Sequence, residues 1–474
     1  MIGQELEHLL HQHFPFAPTG EQRQAFVVFA QFLCEEQPSV LILKGAAGTG
    51  KTEVASAFVR TLVALQQKIL LLAPTGRAAK VFSLSSGYPA YTIHRRIYRG
   101  QMDSPSRGSF QLNYAKMRDA VVLVDEASMV SNNGDFDALF GSGRLLDDLV
   151  QYVFGGENCK LVLIGDWAQL PPVGEIQSPA LSKQVMEGYG LKVYETRLSQ
   201  VLRQQAQSGI LFNATMVRAM LERDDDTLLP KVRFQGFADI VRVPGDELIE
   251  SLYTSYAEVG ADETIVVTRS NKRAGIYNNG IRGRVLGREE ELSSGDMLMV
   301  VRNNYFWAEK EKINLEFIAN GDRAKVVRVR NMREFYGFHF ADVTMQMPDY
   351  DDVELTCTVL LDTLQTEAPA LTHEQHETLF NGVMEDYADL PTKADRMDRM
   401  RKDIYYNALQ VKYAYAVTCH KAQGGQWAHV YVDQGYMTDD MLTPDYFHWL
   451  YTAFTRATEK LFLVNWPEKQ IERP

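Results

Sequence analysis

The chain has 474 residues, 45% of them hydrophobic, and a formal net charge of −12 at pH 7. This length allows about three domains of roughly 100–200 residues in an ordinary globular protein. Without an apolar run of about 18 residues or a basic, then apolar, N-terminus, we expect neither membrane span nor signal peptide, and a cytoplasmic protein. The isolated cysteines lack zinc-type or disulfide-type spacing and suit a reducing compartment as packing residues: Cys34, Cys159, Cys357 and Cys419.

Basic residues cluster in one part of this acidic chain. Between Phe58 and Arg118, ten lysines and arginines stand against a single acid, Asp103. A local basic surface can hold a phosphate backbone while the acidic remainder keeps the protein in solution. A solvated basic face without a partner explains the same pattern, so charge alone leaves both interpretations open.

The most informative stretch is LILKGAAGTGKT, residues 41–52, where a short apolar run gives way to a glycine-rich turn. It fits the phosphate-loop pattern G-x-x-x-x-G-K-[ST], with a predicted strand before it and a predicted helix, 53–66, after it. Backbone N–H groups of the turn and the helix N-terminus would face the phosphates. Lys51 would reach the β- and γ-phosphates of ATP, and Thr52 would hold Mg²⁺. The predicted nucleotide ligands are Gly45, Ala46, Ala47, Gly48, Thr49, Gly50, Lys51 and Thr52.

Gln22 lies upstream of the phosphate loop, at a predicted helix start with Thr19 as N-cap. A glutamine amide can accept from and donate to one edge of adenine. Gln22 is therefore a candidate for base recognition, although a solvated glutamine is the plain alternative.

Polar residues follow a second buried strand, predicted at 68–73. The turn that comes next contains Thr75 and Arg77, at the edge of a parallel sheet where ligands bind, so both are candidate nucleic-acid contacts. A basic turn around His94 precedes the segment 98–114, whose centre is rich in Gly, Pro and Ser. This excursion is interpreted either as a wedge that splits base pairs or as a disordered loop.

An apolar strand, predicted at 120–124, closes on two acids, Asp125 and Glu126. One carboxylate at such a position can hold Mg²⁺ while the other orients and deprotonates the attacking water. We expect Asp125 to be the metal ligand and Glu126 the general base.

Another strand, predicted at 161–164, leads into GDWAQLPPVG, a polar turn stiffened by two prolines that would report the γ-phosphate to a second site. In this order and spacing, GAAGTGKT, APTGRAAK, DEAS and GDWAQLPPVG resemble the first motor domain of superfamily 1 helicases, in particular the RecD-like, Pif1-like and Dda-like group. The resemblance makes Gln169 a catalytic candidate.

The resemblance extends to the second motor domain. LSQVLRQ is similar to the fourth motif, AYAVTCHKAQGGQW to motif V and YTAFTRA to motif VI. It implies that Arg203 and Arg456 are arginine fingers, and that Gln426 contacts the nucleotide where many relatives carry a glutamate. It also implies four further strand contacts: Thr268, Asn271, Thr418 and His420.

The implied fold is α/β, with two RecA-like P-loop NTPase domains, a small basic insertion in the first and an SH3-like β-barrel plus helical segment in the second. The expected divisions are the first motor domain at 1–87 and 119–190, interrupted by a wedge-like insertion at 88–118; and the second at 191–288 and 408–474, interrupted by the barrel and helices at 289–407.

The function implied is an ATP-dependent and Mg²⁺-dependent DNA helicase that moves 5′-to-3′ on single strands and acts at single-strand/duplex junctions. We expect a monomer, with repair or recombination proteins as possible partners and no membrane partner. Two alternatives stay open: a helicase-like ATPase subunit of a larger exonuclease or recombination complex, and a nucleotide-switched nucleic-acid-binding protein that does not translocate.

Overall fold

The computed structural model describes residues 2–100, 110–114, 117–134, 141–201, 207–223, 229–311, 317–438 and 441–472. Two parallel sheets and a closed barrel organise this part of the chain. None of its helices is long and apolar enough to cross a membrane.

The first sheet has six strands in the order β3-β2-β6-β7-β1-β8, and all neighbouring strands are parallel. Its central strands are buried along nearly their whole length, as is typical of sheets covered by helices on both faces. The strands up to β8 are β1 Ser39–Gly45, β2 Lys68–Ala73, β3 Ala90–Thr92, β4 Tyr98–Gly100, β5 Phe110–Leu112, β6 Ala120–Val124, β7 Lys160–Gly165 and β8 Lys192–Leu198. The helices of this part are α1 Ile2–His13, α2 Gly20–Leu33, α3 Lys51–Ala64, α4 Gly76–Ser86, α5 Ile93–Ile97, α6 Leu145–Phe154 and α7 Lys183–Gly188.

Two of our expected boundaries do not match this sheet. Strand β8 pairs with β1 from Ser39 opposite Lys192 to Gly45 opposite Leu198, so the first domain extends past residue 190. Strand β3 pairs with β2, so the insertion begins after it rather than at residue 88. Both are edge strands with partly exposed residues, which is why neither shows the apolar run of a central strand.

The insertion in the first domain starts as an antiparallel hairpin. Strands β4 and β5 pair from Tyr98 opposite Leu112 to Gly100 opposite Phe110. Residues 101–109, on which the choice between wedge and loop depends, lie outside the described residues.

The second sheet is also parallel, in the order β16-β10-β17-β18-β9. Between α10 and β16 the chain leaves this domain to form the barrel. The elements before the barrel are α8 Gly209–Glu222, β9 Ile240–Val243, α9 Leu248–Glu258, β10 Thr264–Thr268 and α10 Asn271–Gly280. Those after it are β16 Ala416–Thr418, α15 Cys419–Ala422, β17 Trp427–Asp433, α16 Pro444–Phe454 and β18 Ala457–Val464.

Strands β11 to β15 close the barrel. Strand β15 seals it by pairing with both β11 and β14, so the inserted unit continues past our expected end at residue 407. The expected helical segment is confirmed: α13 and α14 lie between β14 and β15 and pack on the hairpin end of the barrel. The barrel elements are β11 Met297–Val300, α11 Phe306–Lys310, β12 Arg323–Phe335, β13 Phe338–Met347, β14 Val353–Leu360, α12 Asp362–Gln365, α13 His373–Asp386, α14 Lys393–Arg401 and β15 Leu409–Tyr413.

The apolar cores show which units are joined. Two clusters fill the two faces of the first sheet. A single larger cluster runs through the second sheet and the barrel, so these two parts share one interior. The fold is therefore two RecA-like domains with a barrel built into the second.

Candidate functional site

The phosphate loop connects β1 to α3 at the carboxyl edge of the first sheet. Gly48 and Gly50 have φ of 74° and 76°, in the left-handed region that favours glycine. A Cβ at Gly45 would lie 2.9 Å from the Cβ of Lys51. The glycines thus give the loop its turn and let the Lys51 side chain cross it, while Lys51 and Thr52 open the following helix.

Gln22 braces this loop from helix α2. Its side-chain Oε1 accepts from the Thr19 N–H at 2.9 Å, and its Nε2 donates to the Thr49 carbonyl at 3.0 Å. The Thr49 hydroxyl in turn donates to the Ala46 carbonyl at 2.8 Å. Gln22 is buried, so the structure shows it as a support of the loop, and its contact with adenine stays a prediction.

The two acids lie where β6 ends. Burial and the charge of Glu126 raise the pKa of Asp125 to about 6, and the Lys51 ammonium acts in the opposite direction. Glu126 has φ of 51°, a left-handed conformation that costs a non-glycine residue about 1–3 kcal/mol and is typical of functional sites. The Glu126 Oε2, Gln169 Oε1 and Ser128 Oγ atoms are buried without hydrogen-bond partners among the described residues. Such unpaired acceptors indicate a place built for a further ligand.

A Mg²⁺ ion fits this donor set. The Asp125 carboxylate is buried beside a second carboxylate, and a divalent cation would compensate both charges. Within the described ranges no three His, Cys, Asp or Glu residues gather as a metal site. Asp125 and the Thr52 hydroxyl would therefore hold the ion together with nucleotide phosphates and water, as is usual for Mg²⁺.

Sequence analysis missed two residues that connect the domains at this site. The Tyr451 hydroxyl, from α16, accepts from the Ala47 N–H of the phosphate loop at 2.8 Å and donates to Asp166 Oδ2 at 2.6 Å. Asp166 also accepts from the Ala168 N–H at 3.0 Å, and burial raises the pKa of its carboxyl group. The available signals were an acid directly after a buried strand and a tyrosine at the start of YTAFTRA.

Three further hydrogen bonds attach the second domain to the loop that carries Gln169. The Leu170 N–H donates to the Thr452 hydroxyl at 2.7 Å, and Gln423 Nε2 donates to the Leu170 carbonyl at 2.6 Å. His448 Nδ1 lies 2.9 Å from the Ala168 carbonyl. Helix α16 is thus bound to both the phosphate loop and the 166–170 loop.

The predicted arginine fingers have different outcomes. Arg203 lies outside the described residues. Arg456 is buried in its own domain, where its guanidinium donates to the Thr452 and Gly425 carbonyls, each at 3.0 Å, and to the Thr455 hydroxyl at 3.2 Å. Every nitrogen of Arg456 is therefore engaged away from the phosphate loop, and its finger role stays a prediction.

The predicted strand contacts on α4 face the second domain. The Thr75 hydroxyl caps α4 by accepting a backbone N–H at 3.2 Å. The Arg77 guanidinium lies 4.2 Å from the centre of the Trp427 ring and donates to the Gln426 carbonyl. Burial and the charge of Arg323 lower the pKa of Arg77 to about 10, so it remains a cation at neutral pH. The Gln426 side chain is exposed, and its nucleotide contact stays a prediction.

Two predicted strand contacts are poorly placed for that role. Thr268 is fully buried because its strand end is enclosed by its neighbours, and its hydroxyl donates to the Ser270 carbonyl at 3.1 Å, so its contact with a strand stays a prediction. The His94 ring lies 5.8 Å from the Tyr98 ring, and burial lowers its pKa to about 4 despite the charge of Asp148. His94 is neutral at pH 7 and lacks the charge that a phosphate contact would use.

The other three predicted contacts lie together on the second domain. Asn271, at the start of α10, and Thr418, at the end of β16, line one cavity of about 170 Å³. His420 follows on α15. Burial lowers the pKa of its ring, and the charge of Asp445 only partly offsets this. Their contact with a strand stays a prediction.

Two family models match the chain. Residues 19–223 match the model described as an AAA domain, and residues 413–464 match the UvrD-like helicase C-terminal domain. The first match holds the phosphate loop and the acid pair, and the second holds β16, α16 and Arg456.

Similar proteins come from bacteria and viruses. The chain is 30% identical over 189 residues to the ATP-dependent RecD2 DNA helicase of Deinococcus radiodurans, covering 38% of this chain and 23% of that protein. It is 25% identical over 292 residues to the ATP-dependent DNA helicase dda of phage T4, covering 60% of each, so it spans less than two thirds of both relatives. It also matches protein R530 of Acanthamoeba polyphaga mimivirus, 22% identical over 92% of this chain and 97% of that protein.

Among solved structures, Pif1 helicase from Bacteroides in complex with ADP-AlF3 and ssDNA matches with a TM-score of 0.48 and 15% identity, covering 97% of this chain and 95% of that one. By the family models and the two named relatives, the chain is similar to the ATP-dependent DNA helicases RecD2 and Dda and to the UvrD-like helicase C-terminal domain.

Proposed function

We propose that the chain is an ATP-dependent DNA helicase that moves 5′-to-3′ along single-stranded DNA and couples ATP hydrolysis to duplex unwinding in repair, recombination or replication. The RecD2 and Dda relatives are DNA helicases by name, which supports the reaction. The direction and the cellular process follow from resemblance to that group.

The observation that carries the proposal is the position of α16. Its Tyr451 hydroxyl touches the phosphate loop at Ala47, and its Thr452 hydroxyl touches the loop that holds Gln169. The nucleotide site is therefore at the contact between two motor domains, so nucleotide binding and release can change how the domains sit together.

Each side of this contact has a proposed task. Lys51 binds the β- and γ-phosphates, Asp125 holds Mg²⁺, and Glu126 takes the proton of the attacking water. Gln169 senses the γ-phosphate. When α16 shifts on ATP binding, Arg456 leaves its intradomain carbonyls and stabilises the charge that develops on the phosphate, an effect worth about 10³–10⁵ in rate in related NTPases.

The single strand would lie across both sheets and be held alternately by the two domains. Thr75 and Arg77 provide the contacts on the first domain, and Asn271, Thr418 and His420 provide those on the second. Each closure and reopening of the domains changes the distance between the contacts on the first domain and those on the second. If the two domains hold the strand in turn, the protein moves along it in steps. Arg77 must exchange its contact with Trp427 for the strand, which couples strand binding to the domain contact.

The test is ATP-dependent unwinding of two partial duplexes, one with a 5′ and one with a 3′ single-stranded tail. We expect unwinding of the 5′-tailed duplex only. A Lys51→Ala variant should lose turnover and unwinding while it keeps nearly all strand binding, because Lys51 is on the nucleotide side of the sheet.

Unwinding from the 3′ tail would refute the proposed direction. Full ATPase activity of Lys51→Ala would refute the site assignment. Strand-stimulated ATPase without unwinding of either duplex would favour a subunit that works inside a larger complex.

A further inference from the structure

A cavity of about 170 Å³ lies where the second motor domain meets the barrel. Helix α10 and strand β16 form its motor side, and β15 with the segment after α12 forms its barrel side. Two predicted strand contacts, Asn271 and Thr418, line its wall. The cavity therefore borders the proposed path of the strand.

Two lysines that sequence analysis did not single out, Lys412 and Lys421, also line this cavity. Burial and the charge of Lys421 lower the pKa of Lys412 to about 8. Burial also lowers the pKa of Lys421. An anion held near both partly buried ammonium groups would stabilise their charged forms.

The neighbouring groups do not supply that anion. Glu367 is the one carboxylate among the cavity's described lining residues, and it pairs with Lys272 at 3.2 Å. The Lys412 ammonium donates to the neutral Thr366 carbonyl. Within the described ranges Lys421 has neither a hydrogen-bond nor an ion-pair partner. The cavity thus holds two cations that no acid of its wall neutralises.

We infer that this cavity binds a phosphodiester group of the single strand through the ammonium groups of Lys412 and Lys421. The inference rests on the proposed function and extends it to the inserted barrel. Lys412 lies on β15, which closes the barrel, and β16 with Thr418 follows a few residues later. The barrel would therefore contribute directly to the second domain's grip.

Counterion release provides a sharp test, because the salt dependence of binding counts phosphate contacts. We would measure binding of a fluorescent oligothymidylate to wild type, Lys412→Met and Lys421→Met over a range of salt concentrations. Loss of both ammonium groups in the Lys412→Met/Lys421→Met double variant should reduce the slope of log K against log salt by about 0.7, the value for one phosphate of a single strand, and weaken binding about fivefold near 0.1 M salt. Each single substitution should show part of this reduction. Lys412→Arg keeps the charge and should keep the slope.

Lys402→Met is the matched control. Lys402 lies just after α14, is largely exposed and pairs with Asp398 at 2.9 Å, so the variant removes one positive charge that does not line the cavity. Its slope should equal that of wild type. If Lys412→Met and Lys421→Met show the same slope as Lys402→Met, the inference is overturned but the proposed function is not. Failure of wild type to bind the strand or to show strand-stimulated ATPase would instead overturn the proposed function and the inference with it.

Discussion

At the scale of single residues, the candidate nucleotide site contains a buried carboxylate oxygen that lacks a hydrogen-bond partner. Asp125 and Glu126 are adjacent carboxylates at the end of a buried strand, and the Glu126 Oε2 atom has no partner among the described residues. Burying such a group without a ligand is costly. The backbone of Glu126 is also left-handed. Both features are typical of functional sites, which supports the catalytic role that we propose for Glu126.

The Glu126→Gln substitution tests this assignment. Glutamine keeps the size and hydrogen-bonding capacity of the side chain but cannot take a proton, so kcat for ATP should fall about 10²–10⁴-fold while ATP binding is retained. Steady-state ATPase and fluorescent-nucleotide titration would measure the two quantities. Glu187→Gln is the control, because Glu187 is a half-exposed acid paired with Lys183 at 3.7 Å. Equal kcat in both variants would remove Glu126 from the reaction.

At the scale of elements, helix α16 is the part that joins the two motor domains at the nucleotide. It is buried along most of its length, and its tyrosine reaches across to Ala47 and Asp166. Near the end of the helix, Thr452 bonds to Leu170 of the first domain. Arg456 follows and bonds to Gly425 of its own, second domain. A small shift of α16 would therefore change the contacts of the phosphate loop, of the 166–170 loop and of Arg456 together.

The Tyr451→Phe substitution measures the strength of this contact. It removes one hydroxyl and leaves the buried Asp166 carboxylate with one hydrogen-bond donor fewer, so the free energy of unfolding should decrease by about 1–3 kcal/mol. Chemical denaturation would detect the change. Tyr436→Phe, at a side chain that is 84% exposed, should leave stability unchanged. Equal stability of the two variants would show that the hydroxyl contributes nothing to the domain contact.

At the scale of the whole molecule, the barrel also contacts the first motor domain. Lys80 Nζ, on α4, donates to the Pro348 carbonyl at 2.5 Å. Tyr350, two residues later, is held within the barrel because its hydroxyl donates to Asp322 at 2.8 Å. A Cβ at Gly76 would lie 2.5 Å from the Tyr350 hydroxyl, so the close approach requires glycine there. The barrel therefore lies over the start of the helix that presents Arg77.

Asp322 makes this junction sensitive to pH. Burial raises its pKa to about 7, although the Ala319 N–H and the Tyr350 hydroxyl favour the charged form. Since the unfolded carboxyl titrates near pH 4, the folded state holds an extra proton between about pH 4 and 7, and stability should fall as pH rises through that window. The unfolding free energy of wild type minus that of Asp322→Asn should decrease from pH 5 to 8. A constant difference across this range would rule out titration of Asp322 as the cause.

The sequence alone determined the elements whose signals are local. A buried apolar run followed by GAAGTGKT fixes a strand, a phosphate-binding turn and a helix, because glycine conformations and helix ends depend on neighbouring residues. The run before Asp125 and Glu126 is equally local, and the predicted strand matches β6. The order of such motifs was sufficient to predict two motor domains.

Tertiary structure alone decided what depends on distant parts of the chain. Strand β8 belongs to the first sheet because it pairs with β1, about 150 residues earlier, and an edge strand with a mixed pattern gives no local sign of this. Thr268 is enclosed because β16 and β17 cover its strand on both sides. The contact of Tyr451 with Ala47 joins residues about 400 apart. Such contacts are fixed by packing of whole elements, which no local spacing encodes.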